Sequence, residues 1–317
     1  MGFAAYLGKK LVITVFLLLG TVFITFCLTK ALPGDPALAL VGQRASPRVI
    51  AAIRRRLGAD KPFLVQYADY VKLLSHGEMG RSYSTRREVL SEIEQKFPNT
   101  MKLALAAMLL AAPFGLICGV WAALRRGSAT DTLLSSASII GISVPVFFSG
   151  LLLMLLLSLK LKLLPPAGTG GIRFLILPAI TLALPSMATL ARVSRTMVID
   201  TMDMPFVRTA RAKGLGRWRV ATTHILRNAL VPIITVMGLD FGSYLNGAVL
   251  TETIFGWDGL GRYAVDGIMR RDYPVVLGSI LVGTLVFIVV NMLVDIAYHA
   301  LDPRVRLHAG GEGKGRL

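Results

Sequence analysis

Long apolar runs separated by short polar stretches dominate the chain. A helix needs roughly 20 apolar residues to cross a bilayer, and several of these runs are that long. They predict six spans, at Leu11–Thr29, Thr100–Leu124, Thr132–Leu159, Phe174–Arg192, Leu230–Thr251 and Val275–His299. The pattern is that of an all-α, polytopic membrane protein with six transmembrane helices. Prolines lie in or beside these spans, which indicates either bent helices around a pathway or ordinary packing kinks: Pro113, Pro145, Pro178 and Pro185.

The segment between the first and second spans, residues 31–99, has a different pattern. Ser46 can cap a helix that has Pro47 at its first position, and Gly58 can end that helix. A second helix with one apolar side is expected from about Pro62. The sequence therefore predicts a helical external domain, which caps the spans, receives an external partner or lies on the lipid headgroups.

Composition agrees with a membrane protein. Of the 317 residues, 54% are hydrophobic and 17% are charged, and the mean hydropathy is +0.63. The formal net charge of +17 would suggest nucleic acid as a partner of a soluble protein. In a membrane protein, basic residues mainly set the topology and meet anionic headgroups, so we expect a lipid membrane and no nucleic acid as partner.

The distribution of basic residues orients the chain. Six spans place both termini on one side, and the side with more Lys and Arg in its short loops is cytoplasmic. The terminal side carries basic residues in every segment, including Lys9, Lys10, Arg125, Arg126, Arg192, Arg195, Arg227 and Arg304. The short loops opposite hold fewer: Lys160, Lys162, Arg173, Arg262, Arg270 and Arg271. Both termini and the loop 193–229 are therefore expected in the cytoplasm.

No catalytic constellation is visible in the sequence. It contains no GxxxxGK[ST], HExxH or CxxC motif and no nucleophile elbow. The four histidines lack metal-ligand spacing, and Cys27 and Cys118 lie inside predicted spans as small apolar residues. We predict a chain that is not an enzyme and that binds no metal or cofactor itself.

One acidic residue, Asp240, lies in the middle of a predicted span. Because an acid facing lipid costs several kcal/mol (about 2.5–3.5 on insertion scales), we expect Asp240 to face a polar cavity together with Tyr244 at i+4. Asn246 is added to this candidate translocation pathway. The alternative is a structural hydrogen bond inside the bundle. Asp131, near a span end, is expected to reach water.

The last external loop, "TETIFGWDGLGRYAVDGIMRRDYP", is rich in glycine and in balanced charge. Glu252, Trp257 and Asp258 are the candidate residues of an ordered gate over the pathway mouth. Trp257 suits the membrane interface. The alternative is a simple connector.

The largest cytoplasmic loop, 193–229, contains "PFVRTARAKGLGRWRV". Pro205 can start a short helix, Asp203 can cap it and Gly214 can break it. A second helix is expected from Trp218 to about residue 230. The first helix can act as a mechanical coupler, or the loop can be a solvated basic segment that sets topology. Small residues in it would allow close approach by a partner: Thr209, Ala210 and Ala212.

At these residues the sequence resembles the dipeptide/oligopeptide/nickel permeases of ABC importers. "FVRTARAKGL" looks like their cytoplasmic coupling segment, and "HILRNALVPIIT" is similar to its continuation. "LPGDPA", "GEMGRS", "LTETIFGWDGLGR" and "NMLVDIAYHALDPRVR" resemble further family motifs in family order, over nearly the whole chain.

The resemblance implies a first helix (residues 1–30), an external domain (31–99), a five-helix permease core (100–300) and a cytoplasmic tail (301–317). It implies a bacterial inner-membrane location and a second homologous permease subunit as partner. It also implies two ATPase subunits, which carry ATP and Mg, and an extracytoplasmic substrate-binding protein. The ATPase-coupling residues would be Arg208, Thr209, Ala210, Arg211, Ala212, Lys213 and Gly214.

The sequence leaves several matters open. Pro205 replaces the usual approach to the coupling segment, and Asp240 stands where the family often has Gln, which would favour basic substrates. The implied cargo is a di- or oligopeptide, with nickel chelates, glutathione or another small solute as alternatives. An ion-coupled carrier is disfavoured, because neither an inverted repeat nor paired intramembrane charges are visible. A scaffold membrane protein is the remaining alternative.

Overall fold

The computed structural model describes residues 3–31, 36–41, 45–245 and 248–301, and within them it is helical without a β-sheet. The helices that could form spans are α1 (Phe3–Ala31), α5 (Val89–Leu124), α6 (Ala129–Ser143), α7 (Val146–Leu153), α8 (Ile172–Met202), α11 (Arg227–Leu245) and α14 (Tyr273–Leu301). The shorter helices are α2 (Pro36–Val41), α3 (Pro47–Arg56), α4 (Phe63–Ser75), α9 (Pro205–Ala212), α10 (Arg217–Arg219), α12 (Val249–Ile254) and α13 (Leu260–Met269).

Within the described ranges, four helices are long and apolar enough to cross a membrane, and the number rises to six if each of two bent pairs is one span. The first pair is α6 with α7 and the π-helix Met154–Lys160 that follows α7, and it bends by 101°. The span predicted at Thr132–Leu159 is therefore sharply bent, which the interpretation of its proline as a bend allowed. Pro145 lies at the break, since it cannot donate a backbone hydrogen bond to the preceding turn.

The second bent pair forms the predicted fifth span and bends by 44° before Pro232. Its helix α11 ends at Leu245, and the separate helix α12 begins at Val249. The prediction of one span reaching Thr251 is thus wrong at its end. Pro113, Pro178 and Pro185, in contrast, lie inside the continuous helices α5 and α8.

The centre of the molecule is the packing of α5 against α8. A Cβ atom added to Gly115 would lie 2.7 Å from Leu190 Cβ, and one added to Gly119 would lie 2.6 Å from Ser194 Cβ. Because these two glycines are four residues apart, they share one face and let the two backbones approach closely. This is the small-residue packing typical of membrane helices, where lipid gives no hydrophobic drive for helix association.

The external segment folds into the two amphipathic helices that its pattern predicts. The Ser46 side chain accepts a hydrogen bond from Val49 N (3.5 Å), and Gly58 after α3 has φ +64°, which favours glycine. Helix α4 packs on α1 through edge-to-face rings, and the Tyr67 hydroxyl donates to Leu19 O (3.2 Å). Helix α5 already begins at Val89, so the end of the predicted segment 31–99 continues into the second span.

Candidate functional site

The candidate coupling helix, α9, begins at Pro205, whose fixed φ and missing N–H suit a first helical position. Met204 is the N-cap residue and no side chain caps the helix. The expectation that Asp203 caps it is wrong, because Asp203 terminates α8 and instead accepts a long hydrogen bond from Arg126 (3.4 Å). The proline that departs from the family pattern is therefore compatible with a regular helix start.

The two faces of α9 differ sharply in exposure. Val207 (0% exposed) and Ala210 (5%) point inward and join the main apolar core with Val220 and Ile225. The small size of Ala210 thus serves packing within this chain, in contrast to the expectation that it admits a partner. The other candidate coupling residues are exposed: Arg208, Thr209, Arg211, Ala212, Lys213 and Gly214.

Gly214 ends the helix in the left-handed region, with φ +76°, and its N–H donates to Arg211 O (3.0 Å). The following helical stretch starts at Arg217, one residue earlier than predicted, and passes through the π-helix Val220–Leu226 into α11. Trp218 at its start is 82% exposed. The result is a short, exposed, basic helix that is anchored by one apolar face and joined to a membrane helix.

On the opposite side, the candidate gate loop is organised around the carboxylate of Glu252, which is fully buried. Thr100 Oγ1 of α5 donates to Glu252 Oε1 (2.7 Å), and the backbone N–H of Arg262 donates to Oε2 (2.9 Å). Leu260 N donates in turn to Thr100 Oγ1 (2.8 Å). Helix α12, the start of α13 and α5 are therefore joined by one carboxylate.

Two further observations describe the surroundings of the Glu252 carboxylate. A Cβ added to Gly259 would lie 2.5 Å from Glu252 Cδ, so only glycine allows this approach. Burial raises the pKa of the Glu252 carboxyl, while hydrogen bonds from Thr100 and from the N–H groups of Arg262 and Gly261 oppose that rise. The three donors occupy the carboxylate from within the chain, so Glu252 has a structural role in the loop.

Trp257 and Asp258 fasten the same loop to α5. Trp257 Nε1 donates to Asn99 O (3.0 Å), and Lys96 Nζ donates to Asp258 Oδ1 (2.7 Å). Trp257 is only 4% exposed, so the expectation that it faces the membrane interface is wrong. These contacts hold the loop in an ordered arrangement against α5, and its role as a gate stays a prediction.

Sequence reasoning missed a second buried carboxylate, Asp272. Ser82 Oγ donates to its Oδ2 (2.6 Å), Tyr83 N to its Oδ1 (2.9 Å) and Ser84 N to its Oδ2 (2.9 Å). Asp272 is 2% exposed and joins the external segment to the start of α14. Burial, followed by the charge of Asp272, raises the pKa of Tyr83 to about 12. The glycine-containing turn GEMGRS is a visible signal, but no local pattern pairs it with a residue 190 positions away.

The candidate pathway residues Asp240 and Tyr244 lie together on α11, as their i, i+4 spacing predicts. The Tyr244 hydroxyl donates to Leu182 O of α8 (3.0 Å). Ser186 of α8 interacts with both side chains, and Asp240 Oδ2 is buried without a hydrogen-bond partner among the described residues. Asn246 lies outside the described residues. The cluster is thus partly the structural contact between α8 and α11 that was the alternative interpretation.

Asp131 does not reach water as expected. It is 5% exposed and forms a bidentate pair with Arg195 of α8, at 2.5 Å from Nε to Oδ1 and 2.8 Å from Nη2 to Oδ2. Gly127 N also donates to Oδ2 (3.0 Å). Arg195 was counted only as a topology signal, yet it fixes α6 to α8, because planar guanidinium and carboxylate groups match in this geometry.

Two family models match the chain, one over its N-terminal part and one over the remainder. The model "Binding-protein-dependent transport system inner membrane component" matches residues 115–307, and the model "Binding-prot-dependent transport system membrane comp, N-term" matches residues 3–104. This chain belongs to that family. It is a membrane-embedded permease component, and the Glu252–Thr100 contact joins the two matched segments of this permease.

Curated relatives match the permease over almost its whole length. It is 42% identical to the Di/tripeptide transport system permease protein DppB of Pseudomonas aeruginosa, covering 95% of this chain and 98% of that protein. It is 36% identical to the Dipeptide transport system permease protein DppB of Escherichia coli K12, and 38% identical to the Glutathione transport system permease protein GsiC of Salmonella typhimurium. Both of these matches also cover 95% of this chain and 98% of the relative.

A solved structure shares the fold. The permease aligns with a chain of the inward-facing MetNI methionine ABC transporter at a TM-score of 0.57 and 14% identity. The match covers 67% of this chain and 97% of the other. At this identity the likeness shows the permease fold alone. Within the described residues of this permease, no group of three or more His, Cys, Asp or Glu side chains could hold a metal ion.

Proposed function

We propose that this permease forms, with a second homologous permease subunit, the pathway of an ATP-driven importer of di- and oligopeptides. The names of the relatives from Pseudomonas aeruginosa and Escherichia coli support the peptide substrate. Two ATPase subunits carry ATP and Mg and supply the energy, and an extracytoplasmic binding protein delivers the peptide. The chain itself binds no cofactor and catalyses no reaction.

The observation that carries the proposal is the division of α9 into an anchored and a free face. Val207 and Ala210 hold the helix against the core, while Arg208, Arg211 and Ala212 remain exposed. A helix fixed on one side and free on the other can be gripped by an ATPase and can pass its motion to α11. The excess of basic residues supports a cytoplasmic position for this helix and both termini, with six spans in the inner membrane.

The decisive experiment reconstitutes the permease with its partner subunits and measures ATP hydrolysis and peptide uptake together. Ala212→Phe should leave ATP hydrolysis within about twofold and lower uptake at least about tenfold, because a large side chain blocks the ATPase contact. The matched control is Ala129→Phe, the same change at an exposed alanine that begins α6 beside the other cytoplasmic loop. Transport by the purified chain alone, down an ion gradient, would contradict the proposal.

Glutathione is the second candidate substrate, because the Salmonella typhimurium relative at 38% identity is named for it. Competition between a labelled dipeptide and glutathione in the same vesicles decides between the two. Asp240, Tyr244 and Asn246 are proposed to line the pathway. If the Asp240 carboxylate favours cationic peptides, Asp240→Asn should reduce uptake of a lysine-containing dipeptide relative to a neutral one, and an unchanged preference would remove Asp240 from this role.

A further inference from the structure

A cleft of about 450 Å³ opens between the external helices and the outer ends of two membrane helices. Its floor includes Phe26 in the last turn of the first span and Leu277 near the start of α14, both buried. The C-terminal turn of α3 forms its rim. Helix α9 and the candidate gate residues Glu252, Trp257 and Asp258 do not line this cleft, although Tyr273 and Pro274 at the end of the same loop do.

The rim of the cleft is basic. Arg55 and Arg56 are exposed and form no ion pair within the part of the chain that the structure describes. Arg81 also lines the cleft, and it forms an ion pair with Glu88 (2.9 Å) at the surface. The remaining charges cancel, because Lys61 Nζ lies 2.6 Å from Asp69 Oδ2. Among the described residues, two guanidinium groups at the cleft are therefore without an opposite charge.

A polar atom below this rim lacks a partner. Tyr70 of α4 is 9% exposed and lines the cleft, and its hydroxyl has no hydrogen-bond partner among the described residues. Leaving a buried hydroxyl unsatisfied is unfavourable, so such a group usually has a ligand or an ordered water as its partner. Burial raises the pKa of Tyr70, so the hydroxyl stays protonated and can donate a hydrogen bond to an anion.

From these contacts we infer that the cleft binds the headgroup of an anionic phospholipid, with its phosphate between Arg55, Arg56 and the Tyr70 hydroxyl. The position of the cleft along the membrane normal suits a headgroup, because Phe26 in its floor lies near the end of the candidate span Val12–Thr29. The acyl chains have an apolar contact one turn further into the span, since Phe23 (40% exposed) shares the face of α1 that carries Phe26.

A lipid fits these features better than a protein surface. The recessed hydroxyl and the floor between two membrane helices need a small ligand that enters from the bilayer, whereas a docking protein would contact the exposed rim alone. The assignment to the outer leaflet rests on the proposed topology. Binding in detergent micelles depends neither on that topology nor on transport, so the two proposals can fail separately.

The test is native mass spectrometry of the full chain with phosphatidylglycerol and phosphatidylcholine of equal acyl chains. We expect the wild-type chain to retain phosphatidylglycerol at least about fivefold more tightly, since each basic residue near an anionic headgroup contributes about 1 kcal/mol. Arg55→Gln/Arg56→Gln should remove the preference. The control Arg48→Gln/Arg86→Gln removes the same charge at exposed external positions outside the cleft and should keep it.

Tyr70→Phe retains the ring and should weaken binding of both lipids about two- to tenfold, as expected for one lost hydrogen bond. Urea unfolding of each variant checks that the fold is retained. Equal retention of the two lipids by the wild-type chain, or equal loss in the control, overturns the inference. So does full competition by inorganic phosphate, which indicates a free-anion site. The Arg55→Gln/Arg56→Gln variant is also tested for capture of the substrate-binding protein. If this variant binds lipid as the wild-type chain does but no longer captures the binding protein, the inference is overturned and the rim is assigned to protein docking.

Discussion

The candidate gate loop and the segment around α9 are both short and charged, but they differ in whether the charged groups are buried or exposed. In the loop, the carboxylate of Glu252 is fully buried and accepts hydrogen bonds from Thr100 and from backbone N–H groups. In the coupling segment, Arg208, Arg211 and Lys213 remain exposed. The loop is completed by contacts within the chain, whereas α9 leaves one face exposed. Changes in the loop should therefore lower stability, and changes on the free face of α9 should spare it.

The largest effect is expected from Glu252→Gln. The amide keeps the shape but turns one acceptor into a donor, which then faces a hydroxyl or backbone N–H donor. We expect the free energy of unfolding to fall by about 3 kcal/mol, measured by urea unfolding in micelles. The exposed Glu94→Gln change on α5 is the control. A loss as small as that of the control would show that the buried carboxylate does not hold the loop.

A similar but smaller loss is expected from Asp272→Asn. The asparagine amide can accept from only one side, so a backbone N–H of Tyr83 or Ser84 loses its acceptor. The expected decrease is about 2 kcal/mol in the same unfolding measurement. Asp266→Asn, at an exposed position of α13, should be neutral. If both changes have the same effect, the link between the external segment and α14 is unimportant.

On the coupling helix, the anchored face should behave like the core. Ala210→Leu adds methyl groups where Ala210 packs against buried residues, so overpacking should cost about 1–2 kcal/mol. Urea unfolding measures this loss, and a reduced uptake would accompany it. An unchanged midpoint would mean that α9 is not fixed to the core and would weaken the comparison.

The smallest stability effect is expected two residues further on. Ala212→Leu lies on the exposed face, so the free energy of unfolding should change by no more than about 0.5 kcal/mol. Peptide uptake by the assembled transporter should nevertheless fall. Unfolding and uptake measured on the same preparation separate these effects, and a stability loss equal to that of Ala210→Leu would remove the distinction between the two faces.

The apolar runs were sufficient to predict an all-helical membrane protein, because a bilayer forces backbone polar groups into helices of a defined length. Local rules also predicted α3 and the start of α9, because Ser46, Pro47 and Pro205 influence only the helix start to which they belong. The same rules failed where local signals compete. Asp203 has the right residue type for a cap, but it lies at the end of α8.

The sequence by itself thus determined the class of protein, the family motifs, the approximate spans and the position of α9. Only the tertiary structure decided which charges are buried. The Asp131–Arg195, Thr100–Glu252 and Ser82–Asp272 contacts join residues 64, 152 and 190 positions apart. Helical periodicity acts over a few residues, whereas the partner of a buried charge depends on which helices meet. For the same reason, only the structure showed that Ala210 faces the core and that Ala212 faces away from it.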